Sequence, residues 1–161
     1  MPREPKRPVS TSPERSRIMR AVRRHGTGPE RMLRSRLRTL RLRFSNNSRY
    51  LPGSPDIVFR KSQVAVFVHG CFWHRHKGCS FATTPRSNIA YWRAKFAANR
   101  ERDRRKLSEL KRLGWKVIVV WQCEIESDPS KAARRIGSFL LRAQKAGRGF
   151  SRLSSKPAGS S

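Results

Sequence analysis

Val64-Ala65-Val66-Phe67-Val68-His69-Gly70-Cys71-Phe72-Trp73-His74-Arg75-His76-Lys77-Gly78-Cys79 joins an apolar, strand-like segment to a run dense in histidine and cysteine. Three of the chain's four histidines and two of its three cysteines fall between His69 and Cys79. Imidazole and thiolate are the side chains that bind zinc and move protons near neutral pH. Around a Phe-Trp pair in a strongly basic chain, they point to chemistry on nucleic acid.

Upstream, Arg60-Lys61-Ser62 links the strand Gln63 to Val68 to the run Ile57-Val58-Phe59. The connection is too short for a crossover, so the two runs form a hairpin. Pro52, Gly53 and Pro55 frame a turn that delivers Asp56 onto its first strand. Before that come a short strand near Leu42 to Phe44 and a polar loop from Ser45 to Tyr50. Thr27 and Glu30 fit a capping box at the start of a helix. That helix is expected to bury Leu33, Leu37 and Leu40 and to expose Arg31, Arg34, Arg38 and Arg41. A further amphipathic piece spans Arg17 to Arg23.

Downstream, a long helix begins near Asn88, with Ile89, Trp92, Phe96, Leu107, Leu110 and Leu113 on its apolar face, and Gly114 ends it. Trp115 to Trp121 is a nearly continuous apolar strand suited to the middle of a sheet. Asp128-Pro129 starts a last helix that buries Ala132, Ile136, Phe139 and Leu140. The order αβββαβα describes an α/β fold, a mixed sheet covered by helices.

With 161 residues, 38 Lys+Arg against 10 Asp+Glu and a net charge of +28, the chain reads as one domain made to meet a polyanion. Residues 1–12 and 146–161 have the composition of disordered basic tails around a domain at 13–145. No apolar run approaches membrane-spanning length and no signal core opens the chain. A cytoplasmic place, on the DNA of a bacterial-type nucleoid, is expected.

Cys71, His76 and Cys79 supply three metal ligands on one loop, and Cys123 supplies a fourth just after the last strand. Two thiolates or more with an imidazole and no open position describe a structural, tetrahedral zinc site. The competing reading makes Cys123 a small buried residue. Asp56 lies at the end of the sheet to which the hairpin also brings His69, where a carboxylate suits Mg²⁺-assisted phosphodiester hydrolysis. His69 and His74, not needed for zinc, remain as general base or transition-state stabiliser. An ordinary turn residue after Pro55 is the alternative for Asp56, and the cap explains Glu30. Phe72 and Trp73 suit wedges that unstack base steps. Pattern alone places Trp92 in the core.

These residues resemble a family. Leu51 to Asp56, Val68 to His74 with His76 and Cys79, Glu101 to Arg105, and Gly114-Trp115 through Cys123 are similar to the very short patch repair (Vsr) mismatch endonucleases. Ser16 to Arg20 resembles that family's opening helix, and the likeness covers about residues 12 to 141. It implies a restriction-endonuclease-like fold with zinc on Cys71, His76, Cys79 and Cys123. It also implies Mg²⁺-dependent nicking of duplex DNA 5′ to the thymine of a T:G mismatch left by deaminated 5-methylcytosine. Asp56 matches the metal-binding aspartate, His74 the proposed general base, His69 the other catalytic histidine, and Glu30 a carboxylate near the site. Phe72, Trp73 and Trp92 match the intercalating aromatics, which replaces the core reading of Trp92. Val68 stands where the best-known member has threonine, whose carbonyl binds Mg²⁺; valine keeps the carbonyl and loses the hydroxyl. Lys77-Gly78 adds spacing before Cys79. Mismatch-repair proteins and a repair polymerase follow as partners of a monomeric enzyme. The rival classes are a zinc-stabilised DNA-binding module without catalysis and a restriction-type nuclease that cuts paired DNA.

Overall fold

The computed structural model describes residues 25–46 and 48–153, those from 146 onward as backbone only. The elements are α1 (Gly28–Thr39), β1 (Ser45–Asn46), β2 (Ile57–Phe59), a 3-10 turn (Arg60–Ser62) and β3 (Val64–His69). There follow α2 (Cys71–His74), α3 (Ile89–Arg112), β4 (Lys116–Trp121), α4 (Gln122–Ser127) and α5 (Pro129–Leu153). The expected piece at Arg17 to Arg23 and the 1–12 tail lie outside the described residues. The last helix continues to Leu153, past the residue at which the C-terminal tail was expected to begin.

The sheet order is β1-β2-β3-β4, antiparallel as far as β3 and parallel between β3 and β4. The hairpin forms as expected, with Ile57 opposite Val66 and Phe59 opposite Val64. Gln63 closes it in the left-handed region at φ 48°. A parallel pair needs a long crossover, and α3 is that crossover.

The alternation of side chains along β3 sorts the core into two layers. Val64 and Val66 join Leu33 and Leu37 of α1, Ile125 of α4 and Ile136 and Leu140 of α5. Ala65 and Phe67 face the other way, onto Leu107 and Leu110 of α3. Helices therefore cover both faces of the sheet, which is the expected mixed α/β architecture.

Four local expectations change. The first strand falls on Ser45–Asn46, because Leu42 and Phe44 are spent packing against the core before pairing begins. Trp115 to Trp121 is an edge strand among the described residues. Its continuous apolarity encodes two covered faces, Ile118 and Val120 on one and Val117 and Val119 on the other, and says nothing of a second hydrogen-bonded neighbour. Leu40, at the C-cap of α1, is exposed, as are Ile89 and Leu113 at the ends of α3. Arg34, expected in solvent, is 8% exposed. Its guanidinium donates to Glu30 Oε2 at 2.9 Å and to the Asp56 carbonyl at 3.1 Å, so burial is matched by hydrogen bonds.

Candidate active site and metal centre

Asp56 is placed by the mouth of the hairpin, opposite the closing turn. Its N–H donates to the Val66 carbonyl at 3.0 Å, and its Oδ2 accepts the Val68 N–H at 2.8 Å. The turn before it runs tightly beneath α3. A Cβ on Gly53, at φ +80°, would lie 3.1 Å from the Phe67 ring and 3.3 Å from Lys106. Only glycine allows that approach. Burial pushes the Asp56 carboxyl up to about 6, partly opposed by the Val68 N–H, with Glu30 adding to the rise and Arg34 and His25 working against it. A carboxylate held dry in this way is stabilised by a cation brought beside it.

Glu30 does more than cap. It accepts the N–H groups of Gly26 at 2.9 Å and Thr27 at 3.3 Å, as a capping box requires, and it holds Arg34. Through Arg34 the start of α1 is tied to the Asp56 backbone. That link was not legible as spacing, because it joins segments 22 residues apart.

His69 ends β3 on the α3 side of the sheet, and His74 ends the single turn of α2. Their rings stack at 3.9 Å with an interplanar angle of 11°. His74 Nδ1 donates to Asp103 Oδ2 at 2.5 Å. An imidazole so held keeps Nε2 free for proton transfer. Burial opposes ionisation of Asp103, yet the hydrogen bond and charge of His74, with His69 and Arg102, hold its carboxyl below the ordinary range. Burial, then the charge of His74, pushes His69 down to about 4, against the pull of Asp103. Ligand atoms of His69, His74 and Asp103 lie within 4.8 Å of one another. The nearly parallel ring planes disfavour in-plane binding of one ion by both imidazoles.

Sequence reasoning gave Asp103 no role at the site, yet the structure sets it against His74. A signal existed: Phe96, Asn99, Asp103, Leu107 and Leu110 lie on one helical stripe, so Asp103 faces the sheet while Glu101, off that stripe, is exposed. Asn99 on that stripe donates to the Trp73 carbonyl at 3.2 Å and accepts from Arg102 at 2.8 Å.

Glu30, Asp56, Val68, His69, Trp73, His74 and Asp103 line one cleft of about 920 Å³, with Lys95, Arg102 and Lys106 along its α3 wall. Phe72, Trp73 and Trp92 gather beside it. Phe72 lies 5.0 Å from Trp73, 5.5 Å from Trp92 and 5.2 Å from Phe96, ring centre to ring centre. All three remain half-buried, outside both layers of the core. The Arg75 guanidinium covers Phe96 at 4.7 Å and donates to the carbonyls of Ala82 and Thr83, fastening the following loop to this cluster.

Cys71, His76, Cys79 and Cys123 bring their ligand atoms within 4.8 Å of one another and form a group that could hold a metal ion. Cys71 starts α2, and Cys123 lies in the first turn of α4, whose start is capped by Glu124 through the Trp121 N–H at 3.0 Å. Gly78, at φ +73°, turns the chain so that the added spacing before Cys79 is absorbed. Trp121 stacks on His76 at 4.1 Å and meets His69 edge-on at 5.5 Å. One indole therefore separates the cysteine cluster from the histidine pair.

The family described as DNA mismatch endonuclease Vsr matches residues 8–80 of this chain. A type II nicking enzyme, V.XorIIP, from Xanthomonas oryzae pv. oryzae is 48% identical over 80% of this chain and 94% of its own length. The DNA mismatch endonuclease Vsr of Escherichia coli (strain K12) is 40% identical over 69% of this chain and 70% of its own. The type II nicking enzyme V.NmeAIP of Neisseria meningitidis is 39% identical over 74% and 84%. With the acid, the histidine pair and the aromatic cluster collected at one basic cleft, the chain belongs to the Vsr family of DNA mismatch endonucleases and is an endodeoxyribonuclease.

Proposed function

We propose that this endonuclease nicks one strand of duplex DNA 5′ to the thymine of a T:G mismatch and so initiates very short patch repair of deaminated 5-methylcytosine. The observation that carries the reading is the shared cleft: Asp56 and the His74–Asp103 pair line it together with Trp73.

The basic surface gathers DNA through phosphate contacts. Phe72, Trp73 and Trp92 enter where a wobble pair makes the step soft, at a cost of about a few kcal/mol for unstacking. Asp56 and the Val68 carbonyl would hold Mg²⁺, which when bound neutralises charge developing at the scissile phosphate. One protein carboxylate is a normal share for this ion, which keeps waters and substrate phosphate as its other ligands. His74, steadied by Asp103, takes the proton of the attacking water at Nε2. His69, neutral at pH 7 and stacked on His74, orients the phosphate. Glu30 keeps Asp56 in place through Arg34.

Zinc suits the cysteine cluster on its geometry. Tetrahedral bonds of about 2.3 Å to sulfur and 2.0 Å to nitrogen put such atoms about 3.5 Å apart. The Sγ atoms of Cys71 and Cys123 stand 3.7 and 3.3 Å from His76 Nδ1. Burial pushes the free Cys71 thiol up to about 12, a cost that a bound cation reverses. The role is structural: it staples the ends of the parallel strands β3 and β4 beneath the histidines.

Partners follow from the reaction, namely mismatched duplex DNA and the mismatch-repair proteins and polymerase that process a nick, on nucleoid DNA of a bacterial cytoplasm. The protein acts as a monomer. Among the described residues no helix is long and apolar enough to cross a membrane. The test is a nicking panel with Mg²⁺ on T:G and fully paired duplexes of one sequence. Single-strand cleavage confined to T:G supports the reading. Equal cleavage of the paired duplex, or cutting of both strands, replaces it with a restriction-type activity.

A further inference from the structure

A second pocket lies against the histidine pair. It holds about 490 Å³, shares His69, His74, Asp103 and Leu107 with the main cleft, and opens between α3 and the edge strand β4. Its rim and floor differ in character. Arg100, Arg104 and Lys111 are exposed at the rim, on one stripe of α3 at helical spacing. Leu107, Val119 and Trp121 make an apolar floor. The acid in its lining, Asp103, is already engaged by His74. Arg104 pairs with the exposed Glu101, an interaction weakened by solvent, whereas Arg100 and Lys111 face no carboxylate among the described residues.

A rim of three cations along the helix over an apolar floor matches a run of nucleic-acid strand, anionic phosphates on one side and an apolar face of sugar and base on the other. Because the pocket continues the cleft past the histidines, the chain that reaches it is the DNA already seated there.

We infer that this pocket is a second DNA subsite, taking the strand that runs on past the histidine pair, with successive phosphates at Arg100, Arg104 and Lys111 and the apolar face of a nucleotide over Leu107, Val119 and Trp121. It anchors substrate and adds nothing to the bond-breaking step. The inference rests on the histidine cleft being where DNA is cut.

The double variant Arg100→Gln with Lys111→Gln tests it, compared with Arg60→Gln with Lys61→Gln, two cations on the closing turn at the far end of the hairpin. Kd for a T:G duplex is measured across a salt series by fluorescence anisotropy, and single-turnover nicking is measured at saturating protein. Removing one cation from a DNA phosphate lowers the slope of log K against log salt by about 0.9, so the pocket variant should show a slope shallower by about 1.8. Its affinity should fall on the order of tenfold at low salt, with the nicking rate at saturation within about twofold of the parent and mismatch preference kept. Trimming the duplex on the side that reaches the pocket should weaken the parent and leave the variant unchanged. An unchanged slope, or an equal fall in the turn variant, overturns the subsite. A fall in saturated nicking rate with Kd unchanged also overturns it, because the cations would then serve the histidines. Binding and salt slope are read without cleavage, so a failure of T:G nicking leaves this test intact.

Discussion

Asp56→Asn should make the protein more stable while stopping its chemistry. Burial holds the Asp56 carboxyl at about 6, well above a solvated aspartate near 4, so the folded state keeps this proton more tightly than the unfolded chain does. The contribution of this carboxyl to stability is therefore greatest below about pH 4, declines as pH rises from 4 to 6, and is level above. Integrated across those two values, the ionised carboxylate costs the fold about 1 kcal/mol at pH 4.5 and about 3 kcal/mol at pH 8. Asparagine removes that cost, and its side-chain oxygen can still accept the Val68 N–H that Asp56 Oδ2 accepts at 2.8 Å. Urea unfolding in Mg²⁺-free buffer measures the difference between parent and variant. The variant should gain up to about 3 kcal/mol at pH 8, and about 2 kcal/mol less than that at pH 4.5. Added Mg²⁺ should raise the parent by mass action, about 2.7 kcal/mol at a hundred times its Kd, and leave the variant unmoved. A variant no more stable than the parent at pH 8, or a gain that does not shrink on acidification, refutes the account of Asp56 as a desolvated carboxylate waiting for a cation.

Two other perturbations separate positioning from structure. Asp103→Ala should lower single-turnover nicking by about 10²- to 10⁴-fold with duplex Kd nearly unchanged, since it removes the carboxylate that accepts from His74 Nδ1 and leaves the cations of the cleft in place. A parallel loss of affinity would show that Asp103 organises the cleft as a whole. Purified protein should carry about one zinc per chain by atomic emission, and chelation should raise hydrogen exchange first across residues 71–79 and 121–124. A metal-free preparation with native exchange there would remove the staple between β3 and β4.

Much of the architecture was legible in the chain itself. The hairpin followed from Arg60-Lys61-Ser62 being too short for anything else, and the crossover helix from its apolar spacing and the Asn88 and Gly114 boundaries. The four cysteine-cluster residues were found from residue type and interval, because thiolates and imidazoles beside a strand end have few other uses. Errors fell where a pattern had two causes. Continuous apolarity at 116–121 reports helix cover on both faces, which an edge strand can have as well as a central one, though β4 is less deeply buried than β3. A cationic residue on a helix reads as solvated until a buried partner appears, and Glu30 becomes that partner only when α1 packs beside Asp56.

The sequence by itself determined which groups are present and which short segments they ride on: the acid after a turn, the histidines and thiols in one loop, the aromatics between them. Tertiary structure alone decided who meets whom. His74 finds Asp103 and Arg34 finds the Asp56 carbonyl across separations of 29 and 22 residues. No local spacing encodes such contacts. They exist because burial of the two apolar layers of one sheet presses α1 and α3 against the same strand end, and charged groups caught there must satisfy one another.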